Sequence, residues 1–317
     1  MVGQREPYRG ETYYGRPAIK PSHYGWPIAA YLFAGGLAGA AQLIATIADL
    51  VGHTQDRAVV RAGRYVALGG ALVSPVLLIA DLHTPQRWYN MLRIFRRTSP
   101  MSIGSWTLFT FGTLSGATAV FQALEDLSGL RLLRWVQRLF GLPATAAGVV
   151  MSIYTGTLLV ATSNPLWAAA REFMSPLFGA TATTTATAAL SLILDLAGAS
   201  RGTLRRLQRL AVIAGGAQLV LAAMTDYRLR RQRVSGPLEE QPVAFAYRFG
   251  ALGLGMIAPL IANAAQVLAG RRSRAVSLVA AGAMLVGGFV ERAVFVFAGN
   301  VSARHPRDYF QFTQPEE

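Results

Sequence analysis

The sequence predicts an all-α polytopic membrane protein with eight transmembrane helices, on the evidence of its composition and of repeated apolar blocks. Only 15% of the 317 residues are charged and 52% are hydrophobic, whereas soluble domains carry roughly 25% charged residues. Each block is about 20 residues long, enough for a helix to cross a hydrocarbon layer of about 30 Å. This composition disfavours a soluble enzyme and excludes a disordered chain.

The eight apolar blocks define the predicted membrane domain, residues 24–300, between extramembrane segments 1–23 and 301–317. Eight spans place both termini and the loops after spans 2, 4 and 6 on one side of the membrane, which we call the terminal face. The loop at about 127–142 alternates leucines with arginines and predicts a short amphipathic helix lying in the interface. The blocks lie at about 24–50, 62–82, 102–124, 143–163, 174–197, 207–225, 243–269 and 275–298.

The residue types that are scarce restrict the chemistry of the chain. There is no cysteine, so the chain holds no disulfide and no cysteine-ligated iron–sulfur cluster. Its four histidines, His23, His53, His83 and His305, fall at span ends or in loops, so we expect neither haem nor a metal site. The net charge is +14, but the arginines lie between apolar blocks, which indicates membrane flanks and not nucleic-acid binding.

Six polar residues within or at the ends of spans fall in the terminal-face half of the membrane. Such a group suits a hydrophobic ligand with a proton-carrying head, such as a quinol: tyrosines hold the ring oxygens and a carboxylate takes protons. Alternatively, the tyrosines are interface aromatics, the aspartate caps a loop, and the Arg/Glu set ties helices together. The six are Tyr31, Asp81, Tyr154, Arg248, Glu291 and Arg292.

A motif around the second loop is more specific than this pattern. It comprises Ser74–Leu82 (SPVLLIADL), Pro85, Arg87, Asn90–Phe95 (NMLRIF) and Thr98–Trp106 (TSPMSIGSW). Tyr13-Tyr14-Gly15, Gly35–Gly39 and Tyr154–Leu159 add to it. With these motifs the chain resembles the NrfD/PsrC family, the integral membrane subunits of polysulfide reductase and related oxidoreductases.

The resemblance implies two four-helix bundles without haem, in a bacterial inner membrane. It also implies electron exchange between menaquinone or ubiquinone and a ferredoxin-like 4Fe-4S subunit, which serves a catalytic molybdopterin or multihaem subunit. The chain would then not be catalytic alone. The family's quinone site falls on Tyr31, Tyr154 and Asp81, with Asp81 as the proton acceptor or donor.

The sequence departs from the family pattern at two places in this site. Polysulfide reductases carry histidine where this chain has Tyr31. Many relatives read Asp-Leu-Gly-Arg-Pro where this chain has Asp81-Leu82-His83-Thr84-Pro85, so His83 is either an added proton carrier or a loop residue. Arg248 and Glu291 either shape the pocket or only join helices.

The same loop offers a docking surface, since Arg87–Arg97 interleaves arginines with aromatic residues. Without cysteine or haem ligands, the chain cannot pass single electrons onward, which implies a redox partner; the loop would otherwise contact lipid phosphates. Two other functions stay open: a secondary transporter, and a purely structural membrane anchor of a redox complex.

Overall fold

The computed structural model describes residues 19–52 and 54–313, and these ranges contain helices and loops without a β-strand. The predicted feature Tyr13-Tyr14-Gly15 and the histidine His53 lie outside the described residues. The helices are α1 (Trp26–Val51), α2 (Arg57–Ala80), α3 (Pro100–Ser128), α4 (Leu133–Val160), α5 (Pro165–Ala169), α6 (Met174–Leu196), α7 (Arg201–Arg231), α8 (Val243–Phe245), α9 (Ala258–Leu268), α10 (Arg274–Arg304) and α11 (Pro306–Thr313).

Local sequence signals set the ends of several helices. Ser99 accepts a hydrogen bond from the backbone N–H of Ser102 and begins α3, followed by Pro100 at a position where its missing N–H is harmless. Gly129 ends α3 in the left-handed conformation, at φ 71°, which glycine adopts without steric cost. A π-helix, Ala246–Ile257, joins α8 to α9, and a 3₁₀ segment, Pro85–Leu92, lies between α2 and α3.

Seven stretches among the described residues are long and apolar enough to cross a membrane. They are α1, α2, α4, α6, α7, the continuous stretch Val243–Leu268 and α10. The chain is therefore an all-α multi-pass membrane protein, as predicted, but the count of eight is not confirmed. Helix α3 has 29 residues, yet its many Ser, Thr and Gly residues lower its hydropathy, so its crossing stays a prediction.

The long helices form two groups of four. Helices α1–α4 pack together, and α6, α7, Val243–Leu268 and α10 form the second group. Helices α1 and α4 of the first group pack on α6, and α1 also packs on α10. A Cβ on Gly39 would collide with the backbone of Gly148 in α4, and one on Gly255 with Gly287 in α10, so glycines permit the closest helix contacts.

The far side of the first bundle holds a buried ion cluster around Asp49, whose side chain is 4% exposed. Its Oδ2 lies 2.9 Å from Arg138 Nε and 3.4 Å from Arg64 Nη2, and its Oδ1 lies 3.2 Å from Arg57 Nη1.

The prediction of a separate interfacial helix at about 127–142 is wrong, because α4 begins at Leu133 and continues to Val160. Arg138 pairs with the buried Asp49, which explains how a charged side chain is accommodated in α4.

Candidate functional site

A small cavity, mostly apolar but with six polar side chains in its lining, lies where four helix ends of the first bundle meet at the terminal face. It is lined by residues before and within α1, after α2, at the start of α3 and at the end of α4. Its volume is about 30 Å³, which is close to the share of one molecule in liquid water. The lining residues with polar side chains are His23, Tyr24, Tyr31, Asp81, Ser105 and Tyr154.

The structure therefore brings together Tyr31, Asp81 and Tyr154, which are far apart in the sequence. Tyr31 is 1% exposed, and its hydroxyl forms no hydrogen bond with another described residue. Tyr154 is 5% exposed, and its hydroxyl donates a hydrogen bond to the Pro100 carbonyl. Of these two tyrosines, Tyr154 therefore has a hydrogen-bond partner among the described residues and Tyr31 has none.

Gly104 permits this position of Tyr154. A Cβ at Gly104 would overlap two ring carbons of Tyr154 and its hydroxyl oxygen. The absence of a side chain at the start of α3 lets the ring lie directly against that helix, where its hydroxyl reaches the Pro100 carbonyl. The predicted motif Thr98–Trp106 contains this glycine, which supplies a physical reason for one of its positions.

Asp81 directly follows α2 and closes it, with its backbone N–H bonded to the Leu77 carbonyl at 3.3 Å. The side chain is 10% exposed, and its Oδ2 lies 3.6 Å from His23 Nε2. Burial raises the pKa of the Asp81 carboxyl above its usual range, and the imidazoles of His23 and His83 oppose that rise. A carboxyl with a raised pKa beside two imidazoles is suited to taking up and releasing protons.

The structure adds two residues that the sequence interpretation did not assign to the site, His23 and Tyr24. The His23 ring lies 5.5 Å from the His83 ring and 5.1 Å from the Tyr24 ring, centroid to centroid. His83 is exposed, so the two imidazoles extend from Asp81 towards solvent. Topology was the available signal, because the residues before span 1 and after span 2 share the terminal face.

A larger apolar groove adjoins the cavity between α2 and α3, beneath the 3₁₀ segment Pro85–Leu92. Its volume is about 220 Å³. It shares Leu78, Met91 and Ser105 with the small cavity, so those side chains separate the two spaces. The other lining residues are Ala71, Pro75, Ile79, Trp88, Leu92, Leu108, Phe109, Gly112 and Thr113.

Glu291 and Arg248 lie outside this cavity, in the second bundle. Glu291 is fully buried in α10 and accepts hydrogen bonds from Thr181 Oγ1, at 2.8 and 3.0 Å, and from Gln218 Nε2, at 2.8 Å. Arg248 lines a different cavity beside α7. No ion pair joins Arg248 to Glu291 in the described part of the chain.

The described residues contain no group of three or more His, Cys, Asp or Glu side chains that is arranged to hold a metal ion. A family model described as "Polysulphide reductase, NrfD" matches residues 18–303 of the chain. No curated protein matches it. The matched range contains all the helices of both bundles and every polar residue of the cavity.

Proposed function

The chain belongs to the NrfD polysulphide reductase family, membrane subunits of quinone-linked respiratory oxidoreductase complexes, and from this premise we propose that its terminal-face cavity binds a quinone head group. The observation that supports this most directly is the Tyr31 hydroxyl, which lines the cavity together with Asp81 and forms no hydrogen bond with another described residue. Its O–H is free to donate a hydrogen bond, which a ring oxygen of the ligand would accept.

Each polar residue has one task in this proposal. The Tyr31 hydroxyl donates a hydrogen bond to a ring oxygen. The Tyr154 hydroxyl, which already donates to Pro100, accepts one through its remaining lone pairs. Menaquinol or ubiquinol supplies two electrons and two protons on oxidation. In that direction Asp81 takes up the two protons one after the other, and His23 and His83 pass each of them to solvent; in the other direction the same groups deliver two protons to the quinone.

The adjoining groove suits the isoprenoid tail, because it is apolar and opens towards lipid at Phe109, which is exposed. The head-group cavity, at about 30 Å³, does not admit a ring in this conformation. We infer that Met91 and Met101, which line it, change rotamer on binding. Methionine is unbranched and adapts readily to a ligand.

In this proposal the chain belongs to a bacterial inner-membrane complex. Electrons pass between the quinone and an extrinsic 4Fe-4S subunit, which exchanges them with a catalytic molybdopterin or multihaem subunit. The segment Arg87–Arg97 is the proposed docking surface. It is mostly exposed on the terminal face, directly above the groove. A cluster docked there would lie close to the quinone ring, as electron transfer requires.

The test is an Asp81→Asn substitution in the complex isolated from native membranes. Proton transfer by a positioned group contributes about 10²–10⁴-fold to a rate, so quinol oxidation should fall by about that factor while the subunits still assemble and quinone still binds. Asp126→Asn, whose carboxylate pairs with Arg61 on the opposite face, is the matched control. Unchanged turnover in the Asp81 variant would refute the role of Asp81. Unchanged quinone binding in a Tyr31 variant would contradict the proposed site and favour a purely structural membrane anchor.

A further inference from the structure

A second cavity, of about 290 Å³, lies on the second bundle between α7 and the π-helix. It does not share a lining residue with the proposed quinone site. Its walls are apolar at Leu219, Ala222, Leu252 and Ile257. Its polar lining residues are Asp226, Arg230, Glu239, Tyr247 and Arg248.

Arg248 is in an unusual position for a charged side chain. It lies inside the apolar stretch Val243–Leu268, five residues from its start and therefore about 8 Å along the helix. Its neighbours Phe245 and Phe249 are 60% and 64% exposed, which marks this side of the helix as lipid-facing. Arg248 is itself exposed and has no ion-pair partner among the described residues.

An unpaired charge within a membrane span costs about 2.5–3.5 kcal/mol on insertion scales. An arginine this close to the membrane surface avoids the cost by extending its guanidinium to the headgroup layer. The anion that it meets there is a lipid phosphate, to which a guanidinium donates two parallel hydrogen bonds. The position of Arg248 therefore points to a phosphate ligand.

The rest of the rim carries the opposite net charge. Arg230 Nε lies 2.7 Å from Asp226 Oδ2, and Arg230 Nη1 lies 3.6 Å from Glu239 Oε1. Two carboxylates thus share one guanidinium, which leaves this trio with one excess negative charge. The cavity as a whole is neutral but divided, with a positive site at Arg248 and a negative site at Asp226 and Glu239.

A ligand that matches this division carries a phosphate and an ammonium group on an apolar body. We propose that the cavity binds one molecule of phosphatidylethanolamine, with its phosphate at Arg248 and its ammonium group at Asp226 and Glu239. An acyl chain lies along Leu219 and Leu252. Phosphatidylglycerol lacks the cation for the acidic trio, and the quaternary amine of phosphatidylcholine has no N–H to donate.

Native mass spectrometry of the full chain in detergent tests this assignment. Phosphatidylethanolamine, phosphatidylcholine and phosphatidylglycerol with identical acyl chains are added separately. The wild-type chain should retain one phosphatidylethanolamine about tenfold more tightly than either other lipid, as expected for one charge-assisted hydrogen bond. Equal retention of the three lipids, preference for phosphatidylglycerol, or displacement by a short-chain quinone would overturn the proposal.

Two substitutions separate the halves of the site. Arg248→Gln should weaken phosphatidylethanolamine about tenfold, whereas Arg171→Gln, at an exposed terminal-face arginine outside the cavity, should not. Glu239 lies in a loop outside the spans, and Glu239→Gln should leave the binding of the lipid phosphate intact. It should remove the preference for phosphatidylethanolamine over phosphatidylcholine, and a preserved preference would contradict the assigned role of the acidic trio.

Discussion

Tyr31 and Tyr154 make different internal contacts, and this difference yields a sharp prediction for the proposed quinone site. The Tyr31 hydroxyl bonds to no other described residue, so Tyr31→Phe breaks no internal hydrogen bond. The Tyr154 hydroxyl donates to the Pro100 carbonyl, so Tyr154→Phe leaves that carbonyl without its partner. Both changes keep the ring and its packing.

The magnitudes follow from the worth of one neutral hydrogen bond, about 0.5–1.5 kcal/mol. For Tyr31→Phe this loss falls on the ligand alone, so the quinone Kd should rise about two- to thirteen-fold. Removal of a hydroxyl that bonds to no other described residue should leave the free energy of unfolding about unchanged. For Tyr154→Phe, we expect a loss of about 1 kcal/mol in stability and an unchanged quinone Kd, because the Tyr154 O–H already donates to Pro100 and a quinone has no hydrogen to donate to the hydroxyl oxygen.

The assay measures both quantities on the same sample. The purified chain in nanodiscs is titrated with a short-chain quinone, with tryptophan fluorescence as the readout, and its thermal unfolding is followed in parallel. If Tyr31→Phe lowers the unfolding temperature as much as Tyr154→Phe does, and leaves Kd unchanged, then the Tyr31 hydroxyl is structural and the argument for the site fails.

Three further substitutions test other parts of the molecule. Gly104→Ala places a methyl group against the Tyr154 ring, so we expect a stability loss of about 1–3 kcal/mol and weaker quinone binding, measured by thermal unfolding and titration. His23→Gln removes an imidazole that, when protonated, opposes the raised pKa of Asp81. That pKa then rises further, fewer carboxylates are ionised at acidic pH, and the acidic limb of the quinol oxidation profile should move to higher pH. Glu291→Gln replaces a buried carboxyl that accepts hydrogen bonds from Thr181 and Gln218; we expect a loss of about 1–3 kcal/mol on thermal unfolding and an unchanged quinone Kd.

Matched controls accompany these three variants. Gly116→Ala adds a methyl group to α3 where nothing lies within 4 Å, so its stability should not fall. His305→Gln removes an imidazole remote from Asp81 and should leave the pH profile in place. Glu172→Gln breaks an exposed pair with Arg228 and should cost less than about 1 kcal/mol. A weaker quinone affinity in Glu291→Gln would instead indicate that Glu291 contributes to quinone binding, as one interpretation of the sequence proposed.

The chain order of its polar residues was enough to predict that Tyr31, Asp81 and Tyr154 lie near one another, and the structure places all three in the lining of one cavity. An even number of spans places the start of α1, the end of α2 and the end of α4 on one face, so Tyr31, Asp81 and Tyr154 had to share one membrane half. The same reasoning grouped Arg248 and Glu291 with them, because depth in the membrane says nothing about which bundle a helix joins.

The sequence by itself determined the class of the protein, because apolar blocks of membrane length leave an α-helical bundle as the available solution. It also predicted the position of Tyr31, Asp81 and Tyr154 along their helices, since the helix rise is fixed, but it placed Arg138 outside a long helix, whereas α4 contains it. Only the tertiary structure decided which of those groups meet. Lipid provides no hydrophobic drive between helices, so their arrangement depends on close glycine contacts and buried pairs, such as Gly39 against Gly148 and Asp49 with its arginines, whose partners lie far apart in the chain.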